Sequence, residues 1–137
     1  MSKEAVERVM AEVPELTASG FWYPFNYRRL TREERNAKYR ERREAMLSPS
    51  CIDEFERACG WLSRQKRTKN VNQRSGTSYG LKHVAEKEAG YAENGMFIAA
   101  AITCGFKWKR AWDTPNAWLN ISRLCRRDRT AQQRTAA

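Results

Sequence analysis

The run Asn94-Gly95-Met96-Phe97-Ile98-Ala99-Ala100-Ala101-Ile102-Thr103-Cys104-Gly105-Phe106-Lys107-Trp108-Lys109-Arg110-Ala111-Trp112 changes its period at Gly105, and that change decides the fold. Before the glycine, Met96 through Ile102 is apolar all round, the pattern of a helix buried on every face. Asn94 is its expected N-cap and Gly105 its stop. After the glycine the chain alternates: Phe106, Trp108 and Trp112 on one face, Lys107 and Lys109 on the other, with Arg110 intruding among the tryptophans. Asp113-Thr114-Pro115-Asn116 supplies turn formers, and Ala117 to Ser122 alternates again. A β-hairpin is expected, with Leu119 and Ile121 joining the tryptophan face and Trp118 and Asn120 beside the lysines. Pro115 equally suits the first position of a helix running to Leu124, which leaves a rival to the second strand.

Upstream, the period is helical. Ser78 can cap a helix from Tyr79 to about Ala89 that stops at Gly90. Ser48-Pro49 opens a helix that repeats Ile52, Phe55, Cys59 and Leu62 at core spacing. Thr31 and Glu34 form a capping box for a run to about Leu47, charged nearly all round and so placed at an edge, with Glu34 and Lys38 spaced for an ion pair. There Arg40, Arg42 and Arg43 are offset by Glu33, Glu34, Glu41 and Glu44 and read as a solvated face. Val6, Val9, Met10 and Val13 mark a first amphipathic helix ended by Pro14, and Phe21-Trp22-Tyr23-Pro24-Phe25 reads as an extended aromatic segment. The expected fold class is mainly α with a small C-terminal β-hairpin. Its order of two helices and then a hairpin is that of winged-helix domains. Residues 1–47 form an N-terminal helical and aromatic segment, 48–127 a helical core with a basic loop and the hairpin, and 128–137 a flexible tail.

The chain of 137 residues carries 26 Lys/Arg against 16 Asp/Glu, a net charge of +10. All of that excess lies in the second half: residues 1–60 hold 11 basic and 11 acidic side chains, residues 61–137 hold 15 and 5. A surface this one-sided points to a polyanionic partner. The densest part is the acid-free span from Arg57 to Ala85, centred on Arg64, Lys66, Arg67, Lys69 and Arg74. A polar loop of this composition can follow a phosphate backbone. Lys107, Lys109 and Arg110 on the hairpin and Arg123, Arg126 and Arg127 in the tail extend the basic set, and Trp118 could stack a base.

Catalysis finds little support. His83 is the sole histidine, the second half has no clustered carboxylates, and neither a phosphate loop nor a nucleophile elbow is present. No metal and no cofactor is expected, since the four cysteines lack zinc-ligand spacing. With no leader sequence and no apolar run long enough to span a bilayer, the reading is a cytoplasmic protein with reduced thiols and no membrane partner.

Ser78-Tyr79-Gly80-Leu81-Lys82-His83, with Tyr91, Asn94-Gly95, Phe97-Ile98 and Gly105-Phe106, resembles short uncharacterised proteins carried by phages, plasmids and other mobile elements. The resemblance covers roughly residues 60 to 122 and brings no established activity. Val84 to Tyr91 is similar to a helix-turn-helix with one extra residue before its glycine, but the following helix is too apolar to read base edges. The expected function is a nucleic-acid-binding accessory or regulatory protein of a mobile genetic element that contacts mainly the phosphate backbone, DNA ahead of RNA. The alternative is an inhibitor of anti-CRISPR or antirestriction type, bound to a host nucleoprotein complex or an acidic protein surface. A homodimer is compatible with either.

Overall fold

A computed structural model describes residues 1–122; Arg123, Arg126, Arg127 and the tail expected at 128–137 lie outside the described residues. Five α-helices and two short antiparallel strand pairs follow the order α1 (Ser2–Glu12), β1 (Leu16–Thr17), β2 (Gly20–Phe21), α2 (Arg32–Glu44), α3 (Pro49–Leu62), α4 (Ser78–Ala89), α5 (Asn94–Thr103), β3 (Trp108–Arg110) and β4 (Ala117–Leu119). The fold is mainly helical with a small C-terminal hairpin.

Helix α5 is the centre. Every residue from Asn94 to Ala101 is buried, and α3, α1, α4 and β2 all pack on it. Its alanines let these neighbours approach closely. Gly95 is required by the tightest approach, because a Cβ there would overlap the Thr17 carbonyl oxygen and lie 2.7 Å from that of Ala18. Around α5 the core gathers Leu16, Phe21, Met46, Phe55, Trp61, Leu62, Leu81, Leu119 and Ile121.

The helix starts follow the expected chemistry at two places and depart from it at two. Thr31 and Glu34 complete their capping box, Glu34 N–H donating to Thr31 Oγ1 at 3.1 Å and Thr31 N–H to Glu34 Oε1 at 2.9 Å. That turns Glu34 back toward its cap, so Lys38 pairs with Glu41 at 3.5 Å and not with Glu34. Ser48 Oγ accepts from Cys51 N–H with Pro49 at the first helical position. Ser78 and Asn94, by contrast, cap nothing. The N-caps are Thr77 and Glu93, and the two expected caps are buried inside their helices. There Ser78 Oγ donates to Asn94 Oδ1 at 2.9 Å and accepts from Ala117 N–H at 3.0 Å, and Asn94 Nδ2 donates to Pro115 O at 3.1 Å and Asn116 Oδ1 at 3.0 Å. This buried polar knot ties the starts of α4 and α5 to the hairpin turn. Phe21 N–H, donating to Pro115 O at 2.9 Å, brings in the N-terminal strand pair.

Two N-terminal expectations also change. The aromatic segment is not extended throughout: Phe21 is buried in β2, and Pro24–Tyr27 form one 3-10 turn that leaves Phe25 exposed. Helix α2 buries no residue, as befits an edge, yet Arg43 is no solvated charge. Its guanidinium donates to the carbonyls of Met10, Leu16 and Val13 at 2.9, 3.0 and 3.2 Å, satisfying acceptors left open where α1 ends.

The hairpin forms, with Trp108 opposite Leu119, Lys109 opposite Trp118 and Arg110 opposite Ala117, a register that keeps Leu119 with Trp108 and Trp118 beside the lysines as expected. The rival helix from Pro115 is absent, since Ala117–Leu119 pair as a strand and Ile121 continues into a bridge with Arg67. Among the described residues no helix is long and apolar enough to cross a membrane.

Candidate nucleic-acid interface

The acid-free loop does not float in solvent. It lies along the open edge of β4 as a third ribbon: Thr68 N–H donates to Asn120 O at 2.8 Å, Ser122 N–H to Lys66 O at 2.9 Å and Asn72 N–H to Leu119 O at 2.9 Å. Asn120 is the staple. Buried at 4% exposure, its Oδ1 accepts from Lys107 N–H at 2.7 Å while its Nδ2 donates to Thr68 O at 2.9 Å, so one amide joins the loop to the first hairpin arm. Lys107 Nζ closes the far side on Lys69 O at 2.7 Å. Two basic stretches some forty residues apart in sequence thus become one surface.

The predicted residues divide into those that hold this surface and those that face outward. Arg67 stacks its guanidinium on Phe106, 4.1 Å from the ring centroid, and donates to Cys104 O at 2.5 Å. Arg110 is half-buried, donating to Trp22 O at 2.9 Å and Thr114 O at 3.0 Å. Arg64 bonds Gly60 O at 3.0 Å and lies 3.8 Å from Glu88, outside the ribbon. Lys66 is exposed at the ribbon's start. Lys69, Arg74 and Lys109 are exposed and pair with no acidic side chain among the described residues, and Lys69 and Arg74 line an open cleft of ≈ 460 Å³ with Asn70, Asn72 and Ser122.

Trp118 is corrected as a stacking residue. It is 8% exposed and packed against Trp112, ring centroids 5.2 Å apart at 89°. The indole that faces solvent is Trp112, 73% exposed at the hairpin turn, where its φ of 50° lies in the left-handed region that non-glycine residues seldom adopt. Alternation puts Trp112 on the face of Phe106 and Trp108; the turn rotates it out.

A second feature escaped the sequence reading. Tyr79, Lys82 and His83 from α4, Tyr91 from the turn after it, and Asn94 from α5 line one cleft of ≈ 470 Å³, facing Arg42 and Asn116. Lys82 is buried against Glu86 at 2.6 Å, and its ammonium lies 5.3 and 5.1 Å from the ring centroids of Tyr79 and Tyr91. Burial pushes the Glu86 carboxyl up, but the hydrogen bond and charge of Lys82, and then those of His83, outweigh it and hold the carboxyl below its usual range. Arg42 pairs with Glu93 across the cleft. Tyr79, Lys82, His83 and Glu86 stand three, four and seven residues apart, the spacing of one helix face, which was the signal available in the sequence. Among the described residues no three His, Cys, Asp or Glu side chains gather to hold a metal ion. No family model, no curated protein and no solved structure matches this chain.

Proposed function

We propose that this protein binds nucleic acid, DNA ahead of RNA, as an accessory or regulatory protein of a mobile genetic element, and that it does so mainly through the phosphate backbone. The observation that carries the reading is the pinning of the acid-free loop beside the hairpin, which sets Lys66, Lys69, Arg74, Lys107 and Lys109 on one ribbon. Cations gathered on a rigid strand surface gain from each phosphate they meet without loop-ordering cost, and they displace condensed counterions. Helix α5, the element that order alone would send into a major groove, is buried from Asn94 to Ala101, which favours backbone contact over base-edge readout.

The test is a binding titration across a salt series with the full chain. About five phosphate contacts predict a loss of roughly a hundredfold or more in affinity between 50 and 200 mM salt. Lys69→Glu, Arg74→Glu and Lys109→Glu combined are expected to abolish binding at unchanged far-UV circular dichroism. Arg67 is left intact in that variant because it also holds the Cys104 carbonyl. Binding that survives the triple reversal would overturn the reading. A second reading, an anti-CRISPR or antirestriction inhibitor, draws on the exposed Phe25 beside Tyr23 and Arg28, an apolar anchor outside the basic ribbon. It predicts no retention on isolated nucleic acid at low salt.

A further inference from the structure

We infer that the preferred ligand is single-stranded, and that the Tyr79–Tyr91 cleft seats one of its unstacked bases; this rests on the nucleic-acid reading above. The cleft and the ribbon differ in charge. On the ribbon Lys69, Arg74 and Lys109 are exposed and pair with no acidic side chain among the described residues, whereas the cleft's cations are compensated, Lys82 by Glu86 and Arg42 by Glu93. A cleft so neutralised offers little to a phosphate. What it offers is aromatic surface, Tyr79 at 53% and Tyr91 at 60% exposure, with the Asn116 amide and the His83 ring at its walls. A neutral, planar group with a hydrogen-bonding edge matches that lining, and a nucleobase is such a group.

The two features are contiguous. Lys109 stands opposite Trp118, Trp118 carries the exposed Trp112 and bridges to Thr77, and Thr77 is the N-cap of the helix that presents Tyr79. Pro115 and Asn116 of the same hairpin turn line the cleft. Trp112 thus belongs to the same hairpin turn that supplies Pro115 and Asn116 to the cleft, and it is the exposed ring between the two features along the hairpin. A cationic track interrupted by aromatic platforms is the general pattern of single-strand binding, because every base has a face to stack. In a duplex those faces are already taken, and α5 is too buried to read base edges.

The experiment compares three fluorescein-labelled ligands on the full chain by anisotropy across one common salt series: a thymidine dodecamer, an abasic strand with the same number of phosphates, and a duplex of equal length. The thymidine strand is expected to bind about tenfold or more tighter than the abasic strand, the order of one stacked base. Trp112→Ala and Tyr91→Ala, both at exposed rings, should each bring it toward the abasic value with an unchanged salt slope. Equal binding of thymidine and abasic strands, or of the duplex, would overturn the inference and leave the phosphate reading standing. Failure of all three ligands to bind at low salt would remove that reading and the inference with it.

Discussion

Glu54 keeps a carboxylate at 8% exposure on α3, where Oε1 accepts from Glu93 N–H at 2.7 Å ahead of α5. Burial raises its pKa, and the Glu93 N–H bond and the charges of Arg57 and Lys82 offset this only in part. A folded value above the unfolded one means that the native state binds the proton more tightly. Stability therefore falls as pH rises from the ordinary carboxyl range through the folded value. Glu54→Gln keeps an acceptor for Glu93 N–H and removes the buried charge. It is expected to raise the melting temperature at neutral pH, with the gain vanishing in melts taken below about pH 4. Glu86 acts with the opposite sign: its lowered value contributes stability that is lost as pH falls through it. A wild-type profile that tracks the variant at every pH would refute the assignment to Glu54. Ser78 and Asn94 mark the limit of legibility at this scale. Both have the composition of caps, and local rules take them for caps, but their side chains answer to Ala117, Pro115 and Asn116, which lie far along the chain.

At the scale of elements, the readable features were those decided within a few residues. The Thr31 capping box, the Ser48-Pro49 start, the glycine stops at Gly90 and Gly105 and the strand alternation around Trp108 and Leu119 all have local physical causes. The loop from Arg64 to Gly76 was legible only as charge. Its pairing with β4 depends on partners some fifty residues away, and nothing within the loop announces them. The pairing is testable through Asn120. Asn120→Ala leaves Lys107 N–H and Thr68 C=O without their amide partners, at a cost of roughly 1–3 kcal/mol. Hydrogen exchange should show the Thr68 and Asn72 amides losing protection in that variant while α3 and α5 keep theirs. Unchanged protection at Thr68 would mean that the backbone bonds alone hold the ribbon.

Across the whole molecule, the charge asymmetry that composition revealed resolves into two kinds of cation. Arg67 and Arg110 spend their donors on carbonyls of the protein itself, and a residue count cannot separate them from Lys69, Arg74 and Lys109, which face outward. The cleft was illegible for a related reason: its walls come from the β1–β2 turn, α2, α4, the α4–α5 turn, α5 and the hairpin turn, and only the fold brings them together.

The ribbon's construction also sets a sign for the effect of salt. Holding Lys66, Lys69, Lys107 and Lys109 on adjacent strands costs the unliganded protein mutual repulsion that the unfolded chain relieves by separating them. Added salt shortens the screening length to about 8 Å at physiological strength and weakens that repulsion. The free protein should therefore melt at a higher temperature in physiological than in low salt, under the same change that loosens its grip on nucleic acid. The opposing trends separate a surface kept under electrostatic load for a ligand from one merely solvated, for which thermal melts would show no dependence on salt.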